Sequence, residues 1–191
     1  MSIALSKGSA ISLSKEAPGL RSVSAGLGWD PRATTGYEFD LDASLLGLGT
    51  NGRAYSDQWF VFYGNLSSPD GSVQHTGDER SGAAEGDDET INVDLAALPP
   101  EIDRLVFVAS IHEAQARGQN FGQVQNAYIR MVDNESGREL ARYDLTEDAS
   151  METAMVFGEV YRSGEEWKFK AVGQGYASGL RGIAADFGVN V

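Results

Sequence analysis

The 191-residue chain contains no cysteine and only two histidines, His75 and His112. The missing thiols exclude disulfides, iron–sulfur clusters, cysteine-based zinc sites and cysteine nucleophiles. The scarcity of imidazoles also argues against a histidine-rich transition-metal site. No apolar run reaches the length of a secretory signal or a transmembrane helix, so we expect a cytoplasmic protein without a membrane span.

Basic residues are also few, with 15 Lys and Arg against 28 Asp and Glu and a formal net charge of −13. A nucleic-acid-binding protein needs a cationic surface that displaces counterions from phosphates. The composition therefore excludes nucleic acid as a partner. Hydrophobic residues make up 41% of the chain and charged residues 23%, which are ordinary values for a globular protein. The length suits one well-buried domain over residues 1–191.

The negative charge is concentrated in residues 30–89, which hold twelve acidic side chains and three arginines. Apolar residues alternate along positions 37–45, which predicts a strand with Asp40 and Asp42 on its polar face. Residues 64–90 are rich in glycine and turn-forming residues, and a loop this long in a compact domain is usually functional or disordered. If that loop folds over the strand, its carboxylates join Asp40 and Asp42.

Such a carboxylate cluster requires either water or a cation. Two unit charges about 4 Å apart repel by roughly 4 kcal/mol at an effective dielectric constant near 20. Oxygen ligands select hard cations, and calcium accepts 6–8 of them in flexible geometry, whereas magnesium demands a stricter octahedron. The residues therefore favour calcium, with magnesium as second choice. The competing interpretation is a solvated loop that binds nothing, because the EF-hand spacing is missing.

Two other motifs carry less information. His112 and Glu113 form the first half of the HExxH zinc motif, but the second histidine is absent, which favours a structural or loop-anchoring role. The glycine-rich residues 173–179 match neither phosphate-loop spacing and are interpreted as a tight turn from a strand into a helix.

Strand patterns dominate the rest of the chain. The patterns predict hairpins over residues 3–15, 126–145 and 155–172, and a buried central strand over residues 59–63. Only residues 179–187 show helical spacing. About ten short strands with regular turns predict a mainly β protein, a β-sandwich of two packed antiparallel or mixed sheets with a short C-terminal helix.

Eight ordered blocks of sequence together resemble the TerD family of tellurium-resistance and stress proteins. The blocks are GLGWD (26–30), FDLDAS (39–44), NLSSPDGSV (65–73), HTGD (75–78), GDDE (86–89), IHEA (111–114), NFGQV (120–124) and AVGQGY (171–176). They extend over essentially the whole chain. The resemblance implies a single calcium-binding β-sandwich domain with two neighbouring calcium sites. It also implies a bacterial cytoplasmic protein of tellurite resistance and the general stress response, and no established enzymatic activity.

The resemblance also implies a set of metal-site residues. They are Asp40, Asp42, Asn65, Asp70, Gly71, His75, Gly77, Asp78, Asp87, Asp88 and Glu89. The family pattern does not assign particular atoms to particular ions.

Three functional hypotheses follow. The leading one is a non-enzymatic calcium-binding protein of the stress and tellurite response, in which the ions order the acidic loop into a surface for a protein partner of that response. The alternative is a metal-dependent enzyme or small-ligand-binding module that uses the calcium site to hold an anionic substrate, with His75 or Glu113 nearby. Direct handling of tellurite ranks last, because there are no thiols to reduce it and an acidic surface repels an oxyanion.

Overall fold

The protein, analysed as a computed structural model that describes residues 1–77, 80, 82–83, 86–145 and 151–190, is built mainly from strands. The strands are β1 (Ile3–Ala4), β2 (Ala10–Ser12), β3 (Ser22–Gly28), β4 (Leu41–Leu48), β5 (Phe60–Val61), β6 (Val73–His75), β7 (Glu89–Asp94), β8 (Arg104–Ile111), β9 (Tyr128–Asp133), β10 (Glu139–Asp144), β11 (Ala154–Ser163) and β12 (Glu166–Tyr176). The helices are α1 (Leu13–Glu16), α2 (Ala114–Arg117) and α3 (Gly179–Asp186), with 3-10 turns at Asp57–Trp59 and Phe121–Gln123.

The strands form two six-stranded sheets. The first has the order β1-β10-β9-β3-β7-β6 and the second β2-β12-β11-β8-β4-β5. All pairings are antiparallel except that of β1 with β10, so the first sheet is mixed. The predicted fold class, a sandwich of antiparallel or mixed sheets with a C-terminal helix, is confirmed.

The main core lies between the two sheets. Side chains such as Val23 and Ile91 of the first sheet pack with Leu45 and Phe107 of the second. A second cluster lies on the outer face of the second sheet, where Ile183 of α3 packs with side chains of β4, β8 and β11. No helix in the described part of the chain is long and apolar enough to cross a membrane.

Strand β4 shows how the helix divides this outer face. Successive residues of a strand point to opposite faces, so Asp42 and Ser44 share a face with Leu46 and Leu48. The two leucines belong to the cluster beneath α3. Asp42, near the start of β4, instead lines a pocket. Along this face of β4, the polar residues therefore lie outside the area that α3 covers, and the apolar residues lie beneath the helix.

Two of the predicted elements are wrong. The hairpin over residues 3–15 does not form, because β1 joins the first sheet beside β10 and β2 joins the second beside β12. The chain then enters α1, whose first turn is capped by the side chain of Ser12. Residues 59–63 are not a central strand, since only Phe60 and Val61 form β5, at the edge of the second sheet.

The β9–β10 hairpin, which was predicted, provides a test of acid stability. The Ser136 hydroxyl and the Glu135 N–H donate hydrogen bonds to the Asp133 carboxylate at 2.5 and 3.1 Å. Despite the opposing effect of burial, these bonds lower the pKa of Asp133. A lowered folded-state pKa contributes stability that is present at neutral pH and is lost as pH falls through that pKa.

We expect Asp133→Asn to reduce the free energy of unfolding by about 1 kcal/mol at pH 7. The difference from the parent should begin to narrow below the unfolded-state pKa of about 3.9 and should close as pH falls through the lowered folded-state pKa. Urea unfolding at pH 7 and pH 3 measures both values. Glu165→Gln, at an exposed position in the β11–β12 turn, is the control. If the difference in the free energy of unfolding is the same at pH 3 as at pH 7, the stabilisation does not come from a lowered pKa of Asp133.

Candidate metal centre

Three of the acidic or polar blocks predicted from the sequence meet at the backbone of Ala43 in β4. The edge strand β5 pairs only with Leu45 and Leu46, so the backbone of Ala43 on that edge has no strand partner there. Instead, Glu89 Oε2 accepts a hydrogen bond from Ala43 N at 2.5 Å, and His75 Nε2 lies 3.1 Å from Ala43 O. Side chains from the first sheet thus close the edge of the second, directly beside Asp42.

His75 and Glu89 are fully buried in this contact. The Nε2 atom of His75 lies 3.4 Å from Glu89 Oε2, and neither side chain is exposed. The other ring nitrogen of His75, Nδ1, accepts a hydrogen bond from Gly77 N at 3.1 Å. Because Nδ1 accepts, Nε2 carries the proton and donates to Ala43 O. Both ring nitrogens therefore connect backbone segments, and we call Ala43, His75 and Glu89 the sheet clamp.

Asp40 and Asp42 lie next to the clamp on β4 and the residues before it. They are 7% and 5% exposed. Asp40 O accepts a hydrogen bond from His112 N at 2.8 Å, which extends the β4–β8 ladder past the strand ends. Two nitrogen-bearing side chains lie near them: His112 Nδ1 is 3.7 Å from Asp42 Oδ2, and Arg117 Nη1 is 3.9 Å from Asp40 Oδ2.

These two carboxylates line an open pocket of about 340 Å³, which we call the acidic pocket. Its lining residues are Tyr37, Glu38, Asp40, Asp42, Tyr63, Arg80, His112 and Arg117. Sequence reasoning missed most of them. The signal that could have found His112 is its position immediately after β8, where an antiparallel neighbour places it opposite the start of β4.

Asp88 is tied to the same region through Trp29. The backbone N–H of Trp29 donates to Asp88 Oδ2 at 2.9 Å, and its indole N–H donates to Phe39 O at 2.9 Å. Phe39 directly precedes Asp40. Trp29 is buried, and it connects the segment of Asp88 to the segment of Asp40.

Asp87 has a different role. Arg130 Nε donates to its two carboxylate oxygens at 2.8 and 3.0 Å, and the hydroxyl of Tyr128 donates at 3.0 Å. Burial and the negative charge of Asp87 raise the pKa of Tyr128 to about 12, and the same carboxylate raises the pKa of Arg130. Asp87 is therefore anchored on the outer face of the first sheet, directly before Asp88 and Glu89 in the sequence.

Other predicted ligands lie in local turns. Asn65 donates from its side-chain nitrogen to the carbonyl oxygens of Gln58 and Phe60 at 3.2 and 2.8 Å. Asp70 accepts from the hydroxyls of Ser68 and Ser72 at 2.7 and 2.9 Å.

Burial would raise the pKa of Asp70, but the hydrogen bonds from Ser68 and Ser72 outweigh it and lower the pKa. Gly71 and Gly77 both have positive φ, 77° and 133°, which glycine adopts without strain. Asp78 lies outside the described residues.

The donor set is compatible with calcium but incomplete in the part of the chain that the structure describes. Within those residues, no group of three or more histidine and carboxylate side chains converges on one point. Asp40 and Asp42 offer up to four oxygens on one face, where calcium requires 6–8. Further oxygens would have to come from water, backbone carbonyls or the acidic segment that the clamp and Trp29 bring to this edge.

Comparison with known proteins places the chain in a family. The model of the TerD domain matches residues 1–187. Tellurium resistance protein TerD of Serratia marcescens is 57% identical over 190 residues, covering 100% of this chain and 99% of that protein. General stress protein 16U of Bacillus subtilis (strain 168) is 50% identical over 192 residues, covering all of both chains.

A solved structure agrees with these matches. The crystal structure of a homologue of telluride resistance protein (TerD) from Streptomyces coelicolor A3(2) superposes with a TM-score of 0.72 at 25% identity, covering 90% of this chain and 100% of that one. These relatives are named for resistance and stress and not for a reaction. The chain therefore belongs to the TerD domain family.

Proposed function

We propose that this chain is a non-enzymatic calcium-binding protein of tellurium resistance and the general stress response. The observation that carries the proposal is the pair of buried carboxylates Asp40 and Asp42, in a pocket to whose edge the sheet clamp draws the acidic run 87–89. Calcium supplies positive charge to this region when bound. The family membership supports the resistance and stress role.

The clamp and Trp29 give the proposal a physical basis. They tie Glu89 to Ala43, next to Asp42, and Asp88 through Trp29 to Phe39, next to Asp40. Two like charges about 4 Å apart would repel by roughly 4 kcal/mol at an effective dielectric constant near 20. A bound cation would relieve that repulsion and order the segment. The ordered surface is then what a partner protein of the stress response recognises.

Calcium should stabilise the chelator-treated protein. A ligand that binds only the folded state adds about 2.7 kcal/mol at a hundredfold excess over Kd. For a chain of this size, that free energy corresponds to a rise in Tm of about 5–10 °C. Magnesium should have a smaller effect. Differential scanning calorimetry measures the shift, and isothermal titration calorimetry measures the affinity.

The double variant Asp40→Asn, Asp42→Asn should lose most of this shift while remaining folded. Glu101→Gln with Asp144→Asn removes the same formal charge from exposed positions and is the matched control. An unchanged melting curve and no heat on adding calcium to the parent would reject calcium binding. Full calcium affinity in the Asp40, Asp42 variant would reject these two carboxylates as calcium ligands.

A further inference from the structure

The turn that follows β4 contains the only asparagine of this sequence that directly precedes a glycine, Asn51 before Gly52. An asparagine can react spontaneously when the backbone nitrogen of the next residue attacks its side-chain amide carbon. Glycine as the next residue has no side chain that obstructs this attack. A Cβ atom added to Gly52 would meet no atom within 4 Å, so the surrounding protein leaves the site open as well.

The turn presents both reacting groups at the surface, since residues 50–53 are all exposed. Asn51 Oδ1 accepts a hydrogen bond from Arg53 N at 3.1 Å, which polarises the amide and makes its carbon more electrophilic. Gly52 N donates to Gly49 O at 3.0 Å, so the attacking nitrogen is released when this bond opens. Exposed backbone hydrogen bonds open locally, without global unfolding.

We infer that Asn51 is a site of deamidation in the folded protein. Gly52 N forms a bond to Asn51 Cγ, the bond from Cγ to the side-chain nitrogen breaks, and ammonia leaves with the proton of Gly52 N. Water then opens the resulting succinimide ring at either of its two carbonyl carbons. One opening gives aspartate, and the other gives isoaspartate, in which the main chain runs through the former side chain. Water is the only reagent consumed.

The same turn holds the end of α3. Ala54 N donates to Phe187 O at 2.8 Å, directly after the helix. A Cβ atom on Gly188 would lie 2.5 Å from Arg53 Nη2, so the Arg53 guanidinium lies against the backbone at that point. Phe187 itself packs against the apolar cluster beneath α3. A change in the turn therefore reaches the contact of α3 with the second sheet.

The isoaspartate product should loosen this contact. It adds one carbon atom to the main chain inside the turn, which the bond from Gly49 N to Arg53 O closes at 3.0 Å. It also removes the side-chain carbonyl that accepts from Arg53 N, because that carbonyl becomes part of the main chain. The aspartate product keeps the length of the chain and an acceptor oxygen, and it adds one negative charge. We therefore expect isoaspartate, and not aspartate, to weaken the attachment of α3.

Peptide mapping of the full-length protein, after incubation in mildly alkaline buffer, tests the site. Trypsin releases residues 33–53 and residues 131–138, and each peptide contains one asparagine and no glutamine, so a mass gain identifies the residue. Asn134, in the second peptide, also lies in an exposed turn but precedes a glutamate, which makes it the matched control. Residues 33–53 should convert at least tenfold faster than residues 131–138. Conversion in urea should be faster still, because the bond from Gly52 N to Gly49 O is then absent.

Two variants separate the chemistry from its effect on stability. Asn51→Gln should show no mass gain at residue 51, because the longer side chain would have to close a six-membered ring. The incubated parent should lose about 2–4 °C in Tm, which corresponds to about one hydrogen bond in a chain of this size, and incubated Asn51→Gln should not. Asn51→Asp carries the added charge without the added carbon atom and should melt with the fresh parent.

Equal conversion of the two peptides overturns the assignment, as does conversion in urea with none in the folded protein. Equal rates in the folded and the urea-treated protein overturn the control by the bond to Gly49. An unchanged Tm after conversion, or an equal fall in Asn51→Asp, overturns the effect on α3. All of these measurements are made in chelator, so they do not depend on the calcium binding proposed above.

Discussion

Glu89→Ala should be the most destabilising single change at the candidate site, lowering the free energy of unfolding by about 3 kcal/mol. The Glu89 side chain is fully buried and accepts the hydrogen bond from Ala43 N, so its removal leaves a buried N–H without an acceptor. The change also removes the carboxylate 3.4 Å from His75. Both losses fall on the sheet clamp, which closes this part of the β4 edge.

Urea and thermal unfolding in chelator measure this effect without a contribution from calcium. A loss of about 3 kcal/mol corresponds to a fall in Tm of roughly 6–12 °C for a chain of this size. Glu89→Gln keeps an oxygen for Ala43 N and should lose only about 1 kcal/mol.

Glu101→Ala, at an exposed position, should stay within about 0.5 kcal/mol of the parent. If Glu89→Ala unfolds at the parent's urea midpoint, the sheet clamp contributes nothing to stability. If Glu89→Gln loses as much as Glu89→Ala, the negative charge matters more than the acceptor oxygen.

Much of the fold could be predicted from side-chain periodicity. The hairpins β9–β10 and β11–β12 and the helix α3 were predicted from spacing patterns within short stretches of sequence, and all three form. The failure over residues 3–15 has a physical reason. Alternation identifies the buried face of a strand but not its partner, and β1 and β2 lie in different sheets.

The sequence indicated which acidic residues would gather at the candidate site, but not which contacts each of them makes. The concentration of acids pointed to Asp40, Asp42 and the run 87–89, and the structure brings those segments to one edge. The roles of Asp87 and His75 depend on partners distant in sequence. Arg130 lies 43 residues from Asp87, and the Ala43 carbonyl lies 32 residues from His75. No local pattern shows such contacts, and the ligand set itself stays a prediction.

Gly26→Ala should displace the Asp87 carboxylate from its bonds on the first sheet. Gly26 lies on β3 opposite Arg130 of β9, and a Cβ atom there would overlap the Asp87 carboxylate. The carboxylate could move only by giving up its bonds to Arg130 and Tyr128. We expect a loss of about 2 kcal/mol in the free energy of unfolding. Calcium affinity should fall at least tenfold, because Asp88 and Glu89 follow Asp87 directly.

A double-mutant cycle separates this mechanism from general overpacking. In an Asp87→Ala background the obstructing carboxylate is absent, so Gly26→Ala should cost less than about 0.5 kcal/mol, which gives a coupling energy near the full effect. Gly49→Ala is the matched control, since its Cβ would lie 3.4 Å from the nearest atom, Asn51 Oδ1. An equal cost of Gly26→Ala in both backgrounds would show that the alanine methyl obstructs something other than Asp87. The absence of a side chain at Gly26 would then have no part in anchoring Asp87.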